Sequence, residues 1–405
     1  MLRVIVRQAR PGMVLARSII HPRQADQTLL AAGYKLDSRT IARLHELGVY
    51  DLWINYPGLE FLDDLFSPEL TMQQQRLCET LRISLHEQAQ YADVALPIQN
   101  YRAVVEDLIH AILNCAATLP FMSVLSSIDD ALLRHSAEVS ILALMLGLRL
   151  DGYLVEQRRK YLNSAHAKDV VNLGVGCMLH DVGELQLPEH QRESRRAAFH
   201  PFDDDITWQR HSALGYNALR GQIEPSAATV ILNHHQHFDG SGFPIVQESG
   251  NPQCGSEIHV FARIAMAADT FQHLMHQNGV PQPTICALWN VQNSALRAWF
   301  DPVVLAALLA VTTPFLPGMV VTLSDRRHAI VTRTFEESPC YPEVQILNSP
   351  DLLHRKNTRG EREVIDLSVT PGLQIEGVDG YRIADYLYGM RRVSQVPQAP
   401  RLMPG

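Results

Sequence analysis

Seven side chains between His135 and Asp269 restrict this chain more than any other feature in it. His135 lies in "LLRHSAEVSILALMLGL", His180 and Asp181 in "CMLHDVGELQLPEH", and His211 in "WQRHSALGYNAL". His234 and His235 lie in "VILNHHQHFDGSGFP", and Asp269 in "FARIAMAADTFQ". The flanking residues are apolar at helical spacing; Leu132, Val139, Leu142 and Leu146 fall near the face that carries His135. Burying an imidazole or carboxylate in such a setting is costly unless something compensates it. Taken singly, each residue has an ordinary explanation. His211 reads as a surface or cap histidine, the His234–His235 doublet as the start of a loop, and Asp269 as a partner for Arg263. Taken together, five histidines and two carboxylates at the ends of apolar helical segments ask for one centre. A helical bundle can point all of them inward. Mixed imidazole and carboxylate ligation suits iron, manganese or zinc better than magnesium or calcium. No cysteine belongs to the set, which argues against a structural zinc site.

The rest of the chain sets the architecture around that bundle. At 405 residues there is room for two or three domains. Residues 1–58 read as a small α/β domain: strands in "LRVIVRQ", "MVLARSII" and "VYDLWINY", and a helix in "DSRTIARLHELG". Residues 59–125 read as a helical connector, and 126–312 as helix after helix. Residues 313–380 return to strand character in "GMVVTLSD", "HAIVTRTFE" and "EVQIL", and the Pro-rich tail 381–405 is expected to be disordered at its end. The fold class is therefore mainly α, a bundle flanked by an N-terminal α/β unit and a C-terminal β-rich unit. Residues 302–324 carry no charge up to Ser324, but Thr312, Thr313, Pro314, Pro317 and Gly318 break the run. A short helix capped by Asp301, then a turn and a strand, fits better than a membrane span. Lys plus Arg is 35 against 43 Asp plus Glu, a net charge of −8, which argues against DNA binding. An anionic substrate is still served if the cations are local metal ions. The six cysteines are scattered with no C-x-x-C pair, as in reduced thiols of a cytoplasmic protein, and "MLRVIVRQARPGM" lacks the apolar core of a signal peptide.

The order H…HD…H…HH…D, followed by "DGSGFP" at 239–244, resembles the HD-GYP subgroup of HD-domain metal-dependent phosphohydrolases. The likeness covers about 126–312 and departs from the D-G-x-G-Y-P signature only at Phe243. "RPGMVLARSII" and "LPGMVVTLSD" also look like flanks seen in such proteins. The resemblance implies an HD-domain bundle and a dinuclear phosphodiesterase that hydrolyses cyclic di-GMP to linear pGpG or GMP. Iron or manganese is the usual occupant, with zinc or nickel compatible. It implies that Asp181 bridges the two ions, that His135, His180 and Asp269 complete one, and that His211, His234 and His235 complete the other. Two cations about 3.5–4 Å apart can clamp a phosphodiester and lower the pKa of a water to make hydroxide. Some members hold a third ion through a Glu one turn before the first His; Ala131 stands there, so two ions are expected. The loop Asp239, Gly240, Gly242, Phe243 and Pro244 matches a segment associated with protein partners such as cyclic di-GMP synthases. A homodimer is compatible with the resemblance.

The departures fall on charge. The motif H-D-x-G-K has Glu184 in place of a lysine that meets phosphate. The segment after Asp269 normally runs D-A-L and then basic; here it is "TFQHLMHQNGVPQPT", with Gln272 for the Asp and no Arg or Lys from Thr270 to Thr284. Gln236 replaces the Glu that commonly follows the doublet. Three readings stay open. In the first, the phosphodiesterase survives: Arg263 or His237, or else Arg134 or His273, replaces the missing cations, and Glu184 serves as general acid. In the second the substrate is another nucleotide. In the third the chain binds metal or nucleotide as a signalling module with little catalysis.

Overall fold

The computed structural model describes residues 1–21, 24–65, 67–90, 97–115, 130–160, 162–188, 205–245, 250–277, 280–347 and 363–389. The chain divides into two units, Met1–Thr313 and Pro314–Gly405. The tail expected to be disordered falls largely at 390–405, outside the described residues.

The first unit opens with a two-stranded antiparallel pair, β1 (Leu2–Ile5) with β4 (Asp51–Ile54), and a second pair, β2 (Ile19–His21) with β3 (Gln24–Leu30). Between them runs α1 (Ser38–Glu46), capped by Asp37, whose side chain accepts from Thr40 N at 2.7 Å. Two long helices follow, α2 (Pro68–Gln90) and α3 (Ile98–Asn114), packed on each other through Leu77, Leu81, Val105 and Leu108 among other buried residues.

The bundle proper begins with α4 (Ala131–Arg149). Asp130 is its N-cap, accepting from Leu132 N and Leu133 N, which explains why this carboxylate turns away from the helix interior. This helix is long and apolar enough to cross a membrane by length and composition, but 78% of that window is buried against its neighbours. Next come α5 (Asp151–Arg158), α6 (Ser164–Ala167) and α7 (Val171–Met178), then a 3-10 turn at Val182–Gln186. The series continues with α8 (Ile206–Leu219), α9 (Pro225–Asn233), α10 (Val260–Met275), α11 (Thr284–Asn293) and α12 (Pro302–Val311). α7 lies in the middle, packed on α3, α4 and α9, and α4 packs in turn on α10. Fully buried Leu142, Leu173, Ile231 and Phe261 fill this core, each stabilising the fold by roughly 1.5–3 kcal/mol. α12 starts as expected: Pro302 is its first residue and Asp301 caps Val303 N at 2.8 Å. At 10 residues it is about 15 Å long, too short for a bilayer. A small ribbon of β5 (His276–Gln277) and β6 (Val280–Pro281) follows α10.

The second unit is a six-stranded antiparallel sheet of β7 (Val320–Leu323), β8 (His328–Arg333), β9 (Glu343–Ile346), β10 (Val364–Asp366), β11 (Ile375–Val378) and β12 (Tyr381–Arg382), in the order β10-β9-β8-β7-β11-β12. Val321, Leu323, Val331, Val344 and Ile375 are among its buried residues. The strand segments read from the sequence form β7, β8 and β9.

Candidate metal centre

Three of the histidines are fixed from behind in the same way. The Nδ1 of His180 donates to Cys177 O at 2.7 Å, that of His211 to Trp208 O at 2.8 Å, and that of His234 to Ile231 O at 2.9 Å. Each carbonyl lies three residues earlier, at the end of α7, within α8 or at the end of α9. A carbonyl only accepts, so Nδ1 carries the proton and Nε2 is left as the lone-pair atom. A backbone anchor of this kind orients and sharpens a metal-ligating imidazole.

The front atoms converge on two carboxylates. Asp181 Oδ1 lies 3.4 Å from Nε2 of both His211 and His234, while its Oδ2 lies 3.1 Å from His180 Nε2 and 3.7 Å from His135 Nε2. Asp269 Oδ1 lies 2.9 Å from His135 Nε2 and 3.9 Å from His180 Nε2, and its Oδ2 is 3.7 Å from His235 Nδ1. Each oxygen of Asp181 therefore faces its own pair of imidazoles. All seven residues singled out in the sequence meet here, brought from α4, the α7 end, α8, the α9 end and α10.

Whether a metal fits can be judged from the donors themselves. His211 Nε2 and His234 Nε2 stand 3.2 Å apart with both Nδ1 atoms already protonated. Two lone pairs at that separation repel unless a cation or a proton lies between them. His235 Nε2 is buried without a hydrogen-bond partner, and His180 Nε2 has only the carboxylates of Asp181 and Asp269 before it. Buried polar atoms are ordinarily paired, and a shared divalent ion is what these four lack. The donor set fits such ions. Burial alone would depress His180, but Asp181 and then Asp269 reverse this and carry it up to about 9. Burial likewise works to raise Asp181, yet His180, His211 and His234 hold it well below the usual carboxylate range. Asp269 stays low in the same way, against burial, through His273 and His135. Both carboxylates are thus anions at neutral pH, as ligands must be.

Two of the residues expected to meet phosphate are placed otherwise. Arg263 is 3% exposed, and its guanidinium is taken up by other groups. Its guanidinium pairs with Asp301 Oδ2 and donates to Tyr153 Oη at 2.8 Å, Gln157 Oε1 at 2.7 Å and Ile258 O at 3.0 Å. It is a strut between α10 and the start of α12, and the expectation that it binds substrate is corrected on that ground. His237 is stacked on Trp299 with ring centres 3.7 Å apart, and its Nδ1 bonds Ser241 Oγ at 2.9 Å. Burial pushes its imidazole down to about 4, so it is neutral and offers no cation to a phosphate. Nor is Arg263 the partner of Asp269.

Glu184 sits on the 3-10 turn, buried, and its Oε1 accepts from Trp208 Nε1 at 3.0 Å. Trp208 is a residue the sequence reading passed over. Its ring packs on His211 at 4.4 Å and against His235 at 5.0 Å and Phe243 at 5.8 Å. It therefore ties the replaced lysine position to His211, His235 and Phe243. The 239–244 loop is likewise built into the centre. Phe243 stacks on His235 at 4.6 Å, and its N–H donates to His235 O at 3.0 Å. A Cβ on Gly242 would press into His235 O and lie 2.5 Å from His237 N, so only glycine allows this approach. Asp239 closes the turn by accepting from Ser241 N and Oγ at 2.9 and 2.7 Å, and Gly240 takes φ 81°. Pro244 supplies a carbonyl that accepts from Gln236 Nε2. Asp239 and Ser241 remain exposed.

His273 was also undervalued. One turn after Asp269 on α10, it places Nε2 3.2 Å from Asp269 Oδ1 and its ring 4.4 Å from that of His135. Spacing of i to i+4 on one helix was the available signal. It was obscured by the polar run in which His273 falls.

Comparison with known proteins agrees with this geometry. The HD domain family model matches residues 125–304. A cyclic di-GMP phosphodiesterase of Pseudomonas aeruginosa, PA4108, is 22% identical over 369 residues, 83% of this chain and 81% of that protein. The cyclic di-GMP phosphodiesterase response regulator RpfG of Xanthomonas campestris is 30% identical over 111 residues, 27% of each chain. Among solved structures, Bd1817, an HD-GYP-type protein from Bdellovibrio bacteriovorus, matches with TM-score 0.43 and 13% identity, covering 76% of this chain and 97% of that one. Residues 125–304, which gather the histidines, match the HD domain family, and the chain resembles metal-dependent phosphohydrolases of the HD-GYP subgroup.

Proposed function

We propose that the chain is a dinuclear phosphodiesterase that opens a cyclic dinucleotide, cyclic di-GMP, to linear pGpG or GMP. One observation carries this assignment: the two oxygens of Asp181 face two separate imidazole pairs, His135 with His180 and His211 with His234. A carboxylate so placed is a bridge. The named activity of the two relatives supports the substrate, and the mixed imidazole–carboxylate donors support iron or manganese. Two divalent ions on these residues would supply charge to hold a phosphodiester and the acidity to ionise a water at neutral pH.

The chain's own groups do the rest. Backbone anchors on His180, His211 and His234 hold the donors in place before substrate arrives. Phe243 and Trp208 cover His235 and keep water from that side. Glu184 is the candidate to pass a proton to the leaving oxygen. Its contact with Trp208, which packs on His211, supports that role. A protein partner such as a cyclic di-GMP synthase would meet the 239–244 loop through Asp239 and Ser241, its exposed members.

A second reading is favoured by Glu184 itself: a carboxyl group stands where the family's phosphate-binding lysine does. It gives a phosphohydrolase of another nucleotide, or a metal-loaded signalling module. The deciding experiment measures metal content of the purified protein together with cyclic di-GMP turnover in Fe²⁺ and Mn²⁺. Two ions with turnover that is lost in Asp181→Ala support the phosphodiesterase. Two ions without turnover select the second reading, and no bound ion removes both.

A further inference from the structure

We infer that His273 is a direct ligand of the ion on the His135 side, so that this chain builds a five-donor site from His135, His180, His273, Asp181 and Asp269. The inference rests on the dinuclear reading above and adds a ligand that the family pattern lacks. In D-A-L after the metal-binding aspartate, alanine holds the position that His273 holds here.

Geometry supports it. Around an octahedral ion with bonds of about 2.1 Å, neighbouring donors lie about 3.0 Å apart and opposite donors about 4.2 Å apart. The separations on this side are 2.9 Å for His135–Asp269, 3.1 Å for His180–Asp181, 3.2 Å for His273–Asp269, 3.7 Å for His135–Asp181 and 3.9 Å for His180–Asp269. All fall in or beside that window. The donor atoms of His135, Asp269 and His273 lie within 4.8 Å of one another, as do those of His135, His180 and Asp181. The two groups share His135, and its Nε2 has one lone pair. We assign both groups to one ion, with His135 as the donor that joins them. The other ion takes Asp181, His211, His234 and His235, whose donor atoms also lie within 4.8 Å of one another.

The chemical consequence is asymmetry. Five protein donors leave a six-coordinate ion a single position for an outside oxygen. That favours an octahedral ion such as Fe²⁺ or Mn²⁺ over tetrahedral Zn²⁺ on this side.

The test compares the full-length wild type with His273→Ala. His273 is 28% exposed on a helix, where alanine is well tolerated. Manganese binding is followed by equilibrium dialysis. Direct scalar coupling between cadmium and imidazole nitrogen is read by NMR on isotope-labelled, cadmium-loaded protein. The wild type should hold two ions. His273→Ala should keep one at wild-type affinity, weaken the other about tenfold or more, and lose one cadmium–nitrogen coupling. Weakening with every coupling retained would overturn the inference, leaving His273 a hydrogen-bonding neighbour of Asp269. Unchanged affinity for both ions would overturn it too. A wild type that binds no ion would fail the dinuclear reading itself, a distinct result.

Discussion

Substituting Gly183 by alanine puts one methyl group where the bundle has no room. Gly183 lies two residues after Asp181 on the 3-10 turn that packs against α8. An added Cβ would run into His211 O and stand 2.6 Å from Gly215 N and 2.9 Å from His211 C. These are backbone atoms of α8, so no side-chain rotation relieves the clash. The turn and α8 must separate by about 1 Å to restore ordinary contact, and overpacking of this kind costs about 1–3 kcal/mol. The same displacement carries His211 away from Asp181, whereas metal–ligand distances tolerate only about 0.2 Å. Gly183→Ala is therefore expected to lower stability by about 3 kcal/mol and to lose the ion shared by Asp181, His211, His234 and His235. Urea denaturation of the metal-free protein reads the first effect, and metal stoichiometry reads the second. Gly152→Ala is the control, since a Cβ there meets nothing within 4 Å. A Gly183→Ala protein with wild-type midpoint and both ions would refute the steric account.

Metal affinity should rise about tenfold per pH unit between pH 7 and 9 and then flatten, because His180 holds a proton up to about 9 that an ion must displace; calorimetry in buffers of different ionisation enthalpy checks the proton release. In the metal-free protein the same raised pKa stabilises the fold fully below the unfolded value of about 6.5 and is lost as pH rises through about 9. The depressed Asp181 and Asp269 act oppositely, stabilising above about pH 4 and losing that contribution as pH falls through their lower folded values. Denaturation midpoints across pH should thus decline on both flanks. Arg263→Ala should destabilise by about 3 kcal/mol by leaving buried Asp301 without its cation, Tyr153 Oη still donating to Oδ2, with KM unchanged in the folded fraction; a raised KM at unchanged stability would return Arg263 to the substrate site. Phe243→Ala should weaken the His235-side ion by about tenfold through loss of its stacked cover, read by metal titration.

What the sequence made legible was local. The Asp/Ser start at Asp37, the cap at Asp301 and the apolar spacing around His135 depend on residues within one or two turns, and the structure realises them as α1, α12 and α4. The convergence of the seven side chains was also readable, because apolar helices leave a buried imidazole nowhere to go except a shared polar centre. Arg263 shows where this stops. Its partner lies 38 residues away, on an aspartate already explained as a helix cap, and nothing local signals that Asp301 uses Oδ1 for the cap and Oδ2 for the guanidinium. His237, expected to meet substrate, shows the same limit: nothing near it in sequence signals that Trp299, far along the chain, covers it by stacking. In both cases a long-range contact decided whether a nominal cation was available. That bears on Glu184. With Arg263 a strut and His237 a neutral stacked ring, two of the four groups expected to replace the lysine are withdrawn, and the charge that meets an anionic substrate at this centre falls more heavily on the metal ions. Activity should then depend on full metal occupancy more steeply than in relatives that retain the lysine, and a chelator titration against turnover would show it.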